Sequence, residues 1–534
     1  MQPSAPWWKT GVIYQVYPRS FQDSNGDGIG DLRGIIQRLD YLAWLGIDAL
    51  WISPINPSPM VDFGYDVSDY MDIDPRFGTL EDFDTLVAEA ARRQLKIVID
   101  LVPNHTSDQH PWFIESRSSR DNPRRNWYIW ADAKADGSPP NNWLSYFGGG
   151  AWTWDSATGQ YYLHNFTPEQ PDLNYRNPLV VEAMKGVIRF WLGRGVAGMR
   201  VDVIDRMLKD PELRDNPPNP AYVEGVSHPQ SRYLRVHSER HPDVFGLIRE
   251  FRRTFDEFGD RPIIGEVDYT TDPTAIVRYY DTDLSGMQLP FNFAMLMLPW
   301  DAAVLRGFID AYDAAVPPGG QPNYVFGNHD QPRVATRLGE AQARVAAMLL
   351  LTLRGTPTLY YGEEIGMHDV EIPADQYQDP QGVALGISRD PCRTPMQWDI
   401  TPNAGFSTGY PWLPVAPDYL TVNVEMQSAQ PTSMLALYRR LLALRRATPA
   451  LVHGTYRSVD SGAINTFVYL REWEGGRWCV ALNLGDRLAS LAVPGVGSGR
   501  IIVSTHMERA EAVSLNALYL RENEGVVIEL DGAG

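Results

Sequence analysis

The stretch "GMRVDVID" (Gly198–Asp205) places an arginine and an aspartate two residues apart in a segment with the character of a buried strand. Side chains two residues apart in a strand point to the same face, so Arg200 and Asp202 project together. An arginine within a few ångströms favours the ionised carboxyl and lowers its pKa by ~1–3 units. Such a carboxylate can act as a nucleophile, whereas the alternative is a salt bridge that only braces the strand.

Short apolar strand candidates recur along the chain, each followed by a helical pattern. Eight β-then-α units predict an α/β fold, a (β/α)8 TIM barrel, rather than an open sheet. The active face of such a barrel lies at the carboxyl ends of the strands, where Arg200 and Asp202 fall. The candidates are residues 12–18, 48–53, 96–102, 197–203, 262–267, a weak one near Gly286–Pro290, 324–328 and 356–362.

Two segments depart from this alternation of strands and helices. The first is rich in Trp, Tyr, Asn, Gly and Pro and is too long for a plain loop, so we expect an inserted subdomain over the barrel mouth. In the second, after a helix over 433–451, strands separated by Gly, Asp and Asn predict a C-terminal all-β sandwich. The predicted organisation is a first barrel part over 1–103, an inserted subdomain over 104–172, a second barrel part over 173–451 and a β domain over 452–534.

Composition limits the class of partner. A chain of 534 residues with a net charge of −19 lacks the basic surface that nucleic acids or anionic membranes require. No apolar run approaches the ~18 residues of a membrane span, and the start "MQPSAPWWKTGV" has no apolar signal region. The abundance of 16 Trp and 26 Tyr suits the faces of sugars, although an aromatic-rich core explains it equally.

The two cysteines, Cys392 and Cys479, are far apart in sequence and form no metal-ligand cluster. Free thiols in a reducing cytoplasm are the simpler interpretation, and one disulfide is the alternative. We therefore expect a cytoplasmic enzyme acting on a small molecule, without nucleic acid or membrane partners. Its oligomeric state, a monomer or a small homo-oligomer, is left open.

Two further acids follow other strands. Glu266 ends the fifth strand candidate after an apolar run, and burial without a near cation raises a carboxyl pKa toward that of a general acid. Asp330, preceded by His329, ends the seventh. Three carboxylates from three strands on one rim predict glycoside hydrolysis, in which retaining enzymes hold two carboxyls about 5–5.5 Å apart.

Several motifs in order carry a resemblance that covers essentially the whole chain. They are "WWKTGVIYQVYPRSFQDSNGDGIGDLRGI" (7–35), "DLVPNH" (100–105), "QPDLN" (170–174), "GMRVDV" (198–203), "GEV" (265–267) and "GNHD" (327–330). Together they resemble the α-amylase superfamily, glycoside hydrolase family 13, and within it the bacterial α-glucosidases and oligo-1,6-glucosidases. The resemblance implies a retaining, exo-acting α-glucosidase that works through a covalent glucosyl-enzyme.

The resemblance also implies a role for each acid. Asp202 would be the nucleophile and Glu266 the acid/base. Asp330 would be a third carboxylate that holds sugar hydroxyls and stabilises the transition state. His105 and His329 would hydrogen-bond the non-reducing glucose of the oligosaccharide substrate.

Further pocket residues follow from the same resemblance. Arg200 would orient the nucleophile. Asp62 would grip the terminal glucose, Tyr65 would stack beneath it, and Phe166 would line the pocket. An ion pair between Asp62 and Arg393 would close the far end, so that a single sugar unit fits and cleavage is exo.

Val203 bears on linkage preference. Similar enzymes that favour α-1,6 links tend to carry Val after the nucleophile, while those that favour α-1,4 links tend to carry Thr, so we expect a lean to α-1,6. Three alternatives are weighed: a sucrose isomerase or trehalose synthase type of transglucosidase, a hydrolase of phosphorylated disaccharides, and a non-catalytic transporter subunit. The second would want a basic phosphate site, and the third predicts missing acids and a membrane anchor.

The phrase "DSNGDGIGD" (23–31) predicts a structural metal site, with a merely polar turn as the alternative. Oxygen ligands at alternate positions match the first half of an EF-hand loop. Gly34 stands where such a hand would have Glu, so this is not an EF-hand. The resemblance implies Ca²⁺ or Mg²⁺ here and no organic cofactor. The candidate ligands are Asp23, Asn25, Asp27, the carbonyl of Ile29 and Asp31.

Overall fold

Eight parallel strands wind into a nearly closed barrel in the computed structural model, which describes residues 5–267 and 269–531. The ladder runs β7–β8–β1–β2–β3–β4–β5–β6, and every pairing is parallel. The predicted (β/α)8 barrel is confirmed. Its strands are β1 (Ile13–Val16), β2 (Ala49–Ile52), β3 (Lys96–Leu101), β4 (Gly198–Val201), β5 (Ile263–Glu266), β6 (Leu289–Phe291), β7 (Asn323–Val325) and β8 (Thr356–Tyr360).

Burial explains why most of these strands are visible in the sequence. Every strand residue of the barrel except Lys96 is buried, so the strands read as continuous apolar runs. The weak signal near Gly286–Pro290 corresponds to β6. That strand is short, lies at one end of the ladder and holds Pro290, which has no N–H to donate to a neighbour.

Helices follow the strands and pack their apolar faces into the same core. In the helix after β2, Thr79 and Asp82 form the predicted capping box. The longer helices are Leu32–Gln37, Leu39–Leu45, Leu80–Arg92, Pro178–Gly193, Val244–Asp256, Ala302–Ala315, Glu340–Thr352 and Met434–Ala447. Shorter ones are Trp7–Thr10, Pro18–Phe21, Pro273–Val277, Ala294–Met297, Val334–Leu338, Pro380–Leu385, Val424–Ser428 and Pro449–His453. No helix among the described residues combines the length and apolar character needed to cross a lipid bilayer.

The segment between β3 and β4 carries its own small structure. A helix, Pro111–Ser118, is followed by a three-stranded antiparallel sheet. Trp143 and Trp152 lie in a separate apolar cluster beside this sheet. The strands of the sheet are Trp130–Ala131, Trp152–Asp155 and Gln160–Leu163.

The C-terminal part is an antiparallel β domain, as predicted. One face of a six-stranded sheet joins the barrel core through residues such as Phe467 and Val480, while the other face packs in a second cluster with a two-stranded sheet. The six strands are Thr455–Val459, Thr466–Trp473, Gly476–Asn483, Gly525–Leu530, Ser498–Ser504 and Ala512–Ser514, and the two-stranded sheet joins Ala489–Leu491 to Leu518–Leu520.

Candidate active site

One pocket at the carboxyl ends of the barrel strands gathers the three acids. Asp202 comes directly after β4, Glu266 ends β5, and Asp330 lies in the loop after β7. The pocket is small, with a cavity volume of about 80 Å³. Its walls are Asp62, Tyr65, His105, Phe147, Phe166, Asp202, Val203, Arg206, Glu266, His329, Asp330 and Arg389.

Arg200 holds three carboxyls at the base of this pocket. Its Nη1 lies 2.7 Å from Asp202 Oδ1 and 2.8 Å from Asp100 Oδ1, and its Nη2 contacts Glu266 Oε2. Trp51 Nε1 donates to the other Asp100 oxygen at 2.9 Å. Burial alone would lower the pKa of Arg200, but Asp100 and Glu266 raise it well above its ordinary value. The guanidinium is therefore a fixed cation between the acids of β3, β4 and β5.

The protonation of Asp202 departs from the expectation. Burial and the negative charge of Glu266 raise the pKa of Asp202 well above its usual range, against a smaller lowering by Arg200. The expected net lowering is wrong, because burial and Glu266 outweigh Arg200, which is shared among three carboxyls. The expectation that Glu266 has no cation nearby is also wrong, since Arg200 contacts it. Asp202 and Glu266 thus share one cation, and burial favours a proton on Asp202 in the free enzyme.

Asp330 has the opposite environment. Its Oδ1 lies 3.0 Å from Arg393 Nη2 and 3.2 Å from Arg389 Nη1, and its Oδ2 lies 3.5 Å from His329 Nε2. Although burial opposes them, these neighbours hold the pKa of Asp330 well below its usual range. Burial in turn lowers the pKa of His329 to about 3. A permanently ionised carboxylate next to a neutral imidazole results.

The predicted pair between Asp62 and Arg393 is wrong. Arg389 Nη2 lies 2.9 Å from Asp62 Oδ1 and makes this ion pair instead. Arg393 is held away from Asp62 because its Nε donates to the His329 carbonyl at 2.7 Å and its Nη2 reaches Asp330. Burial, opposed by Arg389, raises the pKa of Asp62 to about 6.

The aromatic and histidine residues predicted from the sequence lie in the same pocket. Tyr65 OH lies 2.7 Å from His329 Nε2, with the two rings nearly parallel. His105 Nε2 lies 3.0 Å from the Tyr65 carbonyl, and burial lowers the His105 pKa to about 4. Phe166 packs against His105, with ring centroids 5.1 Å apart, and stacks on Tyr146 at 5.6 Å.

Val203 adopts a rare backbone conformation. Its φ of 35° and ψ of 46° lie in the left-handed region, which β-branched residues almost never enter. Such a conformation costs roughly 1–3 kcal/mol and persists only where the surroundings enforce it. Val203 is 4% exposed and immediately follows Asp202, so the chain turns sharply next to the reacting groups.

The predicted metal loop is closed by its own hydrogen bonds. Asp23 Oδ1 accepts the N–H groups of Asn25 and Gly26 at 2.9 and 2.8 Å, and Asp31 caps the next helix. Among the described residues, no three His, Cys, Asp or Glu side chains converge as metal ligands. The oxygen donors suit a hard cation in their chemistry, but Asp23, Asp27 and Asp31 would have to turn toward one another to bind it.

Several residues in or behind the pocket were not predicted from the sequence. Asp100 left a signal, since it is a carboxylate inside the apolar run of β3 and the register partner of Arg200. Arg389 shares a loop with Arg393, and sequence does not distinguish which of them reaches Asp62. The others gave no signal of a role; they are Phe147 and Arg206 in the wall and Gln170, whose Nε2 donates to Asp62 Oδ2 at 3.1 Å.

Known proteins resemble this chain over nearly its whole length. The catalytic domain of α-amylase matches residues 15–454. A probable α-glucosidase of Rhizobium meliloti (strain 1021) is 44% identical over 513 residues, 92% of each chain. An oligo-1,6-glucosidase of Parageobacillus thermoglucosidasius is 38% identical over 98% of this chain and 99% of its own. The solved α-glucosyl transfer enzyme XgtA is 39% identical, with a TM-score of 0.91, over 99% of this chain and 100% of its own.

Fold, pocket and relatives together define a glycoside hydrolase. A barrel whose strand ends bring a close carboxyl pair and a third carboxylate into one pocket has the groups that cleavage of a glycosidic bond requires. The chain belongs to the α-amylase family, glycoside hydrolase family 13.

Proposed function

We propose that this enzyme is a retaining, exo-acting α-glucosidase that releases glucose from the non-reducing end of short α-glucosides. The relatives named α-glucosidase and oligo-1,6-glucosidase support this substrate class. The proposal depends mainly on one observation: Asp202 and Glu266 each form an ion pair with a different terminal nitrogen of the Arg200 guanidinium, which holds the two carboxyls close together. Retaining enzymes need carboxyls about 5–5.5 Å apart, whereas inverting enzymes need about 6.5–9.5 Å.

The proposed reaction has two steps. In the first, the proton held by the Asp202–Glu266 pair passes through Glu266 to the glycosidic oxygen while the ionised Asp202 attacks the anomeric carbon, so the aglycone leaves and a glucosyl ester forms. In the second, the Glu266 carboxylate takes a proton from water, which attacks the same carbon and releases Asp202. The ionised Asp330 lies opposite, where it stabilises the positive charge that develops on the sugar ring.

The closed end of the pocket supports exo cleavage. The ion pair of Asp62 with Arg389 links the loops after β2 and β8. Arg389 also pairs with Asp379 and lies over the Phe147 ring, 5.3 Å from its centroid. Because both Asp62 and Asp379 fix Arg389 in place, this wall closes the pocket beyond one terminal glucose. The hydroxyls of that glucose then face the charged side chains of the wall.

The anomer released first tests the proposal. Early in hydrolysis of isomaltose, followed by NMR, we expect α-glucose to appear before mutarotation produces the β form. Immediate release of β-glucose would refute the covalent route through Asp202. Replacing Asp202, Glu266 or Asp330 by Ala should each lower kcat by several orders of magnitude, while circular dichroism shows an intact fold.

The lean to α-1,6 links is a separate part of the proposal. Val203 lines the pocket directly after Asp202, and it is 4% exposed. We expect isomaltose to be cleaved at least as fast as maltose, and Val203→Thr to shift the ratio of kcat/KM values toward maltose. A tenfold preference of the unmodified enzyme for maltose would end this part of the proposal.

Transfer of glucose to a second sugar is the alternative supported by a specific finding. The structural relative XgtA is named an α-glucosyl transfer enzyme. Water and a sugar hydroxyl compete for the same glucosyl-enzyme, so the two reactions share every catalytic group. Chromatography of the products at high substrate concentration distinguishes them, since transfer yields longer glucosides or isomers and hydrolysis yields glucose alone.

We also propose that the loop after β1 binds a structural Ca²⁺ or Mg²⁺. Its hard oxygen donors and their alternate spacing support this. Ligand binding to the folded state raises the melting temperature, so CaCl₂ should stabilise the enzyme, EDTA should reverse the effect, and Asp27→Ala should abolish it. The ligands would be Asp23, Asn25, Asp27, the Ile29 carbonyl and Asp31.

A cytoplasmic location is proposed as well. Cys392 and Cys479 are both buried and unpaired, which suits a reducing compartment. Fractionation of the native cells should place the activity in the cytosol, and light scattering of the purified enzyme should give a monomer or a small homo-oligomer.

A further inference from the structure

Lys209 lies outside the pocket, seven residues after Asp202 along the chain, with its side chain buried. Its Nζ is 2.5 Å from Asp172 Oδ2 and donates to Asn104 Oδ1 at 2.8 Å. Asn104 belongs to the loop after β3, and Asp172 to the end of the inserted segment. One ammonium thus ties together three segments that surround the pocket.

The lysine fixes the orientation of the Asn104 amide. An ammonium only donates hydrogen bonds, so the oxygen of the amide faces Lys209 and its NH₂ group faces the other way. That NH₂ group lies 3.1 Å from Nδ1 of His105. Because an amide NH₂ can only donate, Nδ1 must present a lone pair. A neutral imidazole then carries its hydrogen on Nε2.

The other side of the His105 ring agrees with this tautomer. Nε2 lies 3.0 Å from the carbonyl oxygen of Tyr65, which can only accept. Nε2 also lies 3.1 Å from the NH₂ group of Gln170, a donor that favours a lone pair there. With the hydrogen on Nδ1, however, two donors would face each other at Asn104 and two acceptors at Tyr65, so the contacts with Asn104 and Tyr65 together favour Nε2–H. Lys209 also offsets the charge of Asp172, which otherwise favours a protonated His105.

We propose that Lys209 is a positioning residue that sets the tautomer of His105 from outside the pocket, so that Nε2 carries the hydrogen. The hydrogen bond passes from Lys209 through the Asn104 amide to the histidine ring. This Nε2–H lies against the Tyr65 carbonyl, and its sharing with a glucose hydroxyl rests on the proposed function. The tautomer itself does not depend on it.

Two variants test the relay without removing the histidine. Asn104→Asp keeps the size of the side chain but replaces the NH₂ donor by a second acceptor, so the hydrogen of His105 should move to Nδ1. Lys209→Met alone leaves Asp172 as a buried, unpaired charge, which often unfolds a protein. The double variant Lys209→Met/Asp172→Asn removes both charges together and leaves the Asn104 amide unanchored.

NMR of the full-length enzyme labelled with ¹⁵N-histidine gives the decisive measurement. The two ring nitrogens report directly which of them is protonated, and the signal missing in His105→Gln identifies the residue. We expect Nε2–H in the unmodified enzyme, Nδ1–H in Asn104→Asp, and a mixture in the double variant. Lys185→Met is the matched control, since Lys185 is paired only with the exposed Glu182, and it should leave the spectrum unchanged.

Kinetics add a second readout. Losing a single hydrogen bond to a sugar hydroxyl should raise KM for isomaltose about tenfold in the double variant, with a smaller change in kcat. An unchanged Nε2–H spectrum in either Asn104→Asp or the double variant would overturn the proposal. A failure of the proposed glucosidase activity would instead appear as missing turnover in an unmodified enzyme whose His105 spectrum is as expected.

Discussion

Replacing Asp62 by Asn separates what this carboxylate does for the pocket from what it does to the fold. Asp62 is 4% exposed, accepts from Arg389 on one oxygen at 2.9 Å and from Gln170 on the other at 3.1 Å. Asn has nearly the same shape. Arg389 keeps Asp379 and Asp330 as partners in the variant, so no cation is left unpaired.

The expected stability change follows from the pKa. Burial outweighs Arg389 and raises the pKa of Asp62 to about 6 in the folded state, from about 3.9 in the unfolded chain. Because the folded state binds this proton more tightly, the unfolding free energy falls as the pH rises from about 4 through about 6. The difference of about two pKa units corresponds to about 3 kcal/mol. Asn escapes this loss, so Asp62→Asn should be more stable above about pH 6 by up to about 3 kcal/mol.

The assay compares urea unfolding midpoints of both proteins at about pH 4.5 and about pH 7.5. The increase in unfolding free energy of Asp62→Asn over the unmodified protein should be large at the higher pH and small at the lower one. The kcat/KM for isomaltose should fall roughly tenfold to a hundredfold, because hydrogen bonds to a charged acceptor are worth about 1.5–3 kcal/mol. Asp121→Asn, at an exposed position, is the control. A variant less stable at about pH 7.5, or a gain equal at both pH values, would contradict the reasoning.

Three further predictions concern the same charges. Asp330→Asn should destabilise the fold at neutral pH, and this effect should shrink progressively as the pH falls from about 4 toward the lowered pKa of Asp330; thermal melts at neutral pH and at several pH values below about 4 measure it. Arg389→Met should destabilise the fold by about 3–5 kcal/mol, since Asp62 and Asp379 lose their cation; adding Asp62→Asn should restore part of the loss in the same melts. The kcat/KM of the unmodified enzyme should decline below about pH 6 as Asp62 takes up a proton, whereas His329, with a pKa of about 3, stays neutral in a pH–rate profile.

The barrel could be predicted because its physical cause is local. Buried parallel strands leave continuous apolar runs in the sequence, and the alternation of side chains in β4 places Arg200 beside Asp202. The rule that strand ends form the active face then groups Glu266 and Asp330 with them. β6 gave a weak signal because a short strand with Pro290 has little periodicity.

The charge network could not be predicted because it depends on distances across the barrel. Arg389 and Arg393 are four residues apart in a long loop after β8 without periodicity, and only the fold decides which of them reaches Asp62. The pKa of Asp202 depends on burial and on Arg200 being shared with Glu266. Asp100 could have been predicted, because the pairing of adjacent strands places it opposite Arg200.

The pocket as a whole carries more negative than positive groups, and this excess has a chemical use. Six carboxyls, Asp62, Asp100, Asp202, Glu266, Asp330 and Asp379, pair with three guanidiniums, Arg200, Arg389 and Arg393, and Arg206 in the wall is a fourth cation of the pocket. Protons therefore reside among the buried acids of the free enzyme, and in the proposed reaction one of them passes through Glu266 to the leaving group. As the glycosidic bond breaks, positive charge develops on the sugar, and the surplus carboxylates stabilise it without rearranging. Burial first, and neighbouring carboxyls second, raise the pKa values of Asp62, Asp100 and Asp202, so the buried acids that serve the proposed catalysis also oppose folding at neutral pH.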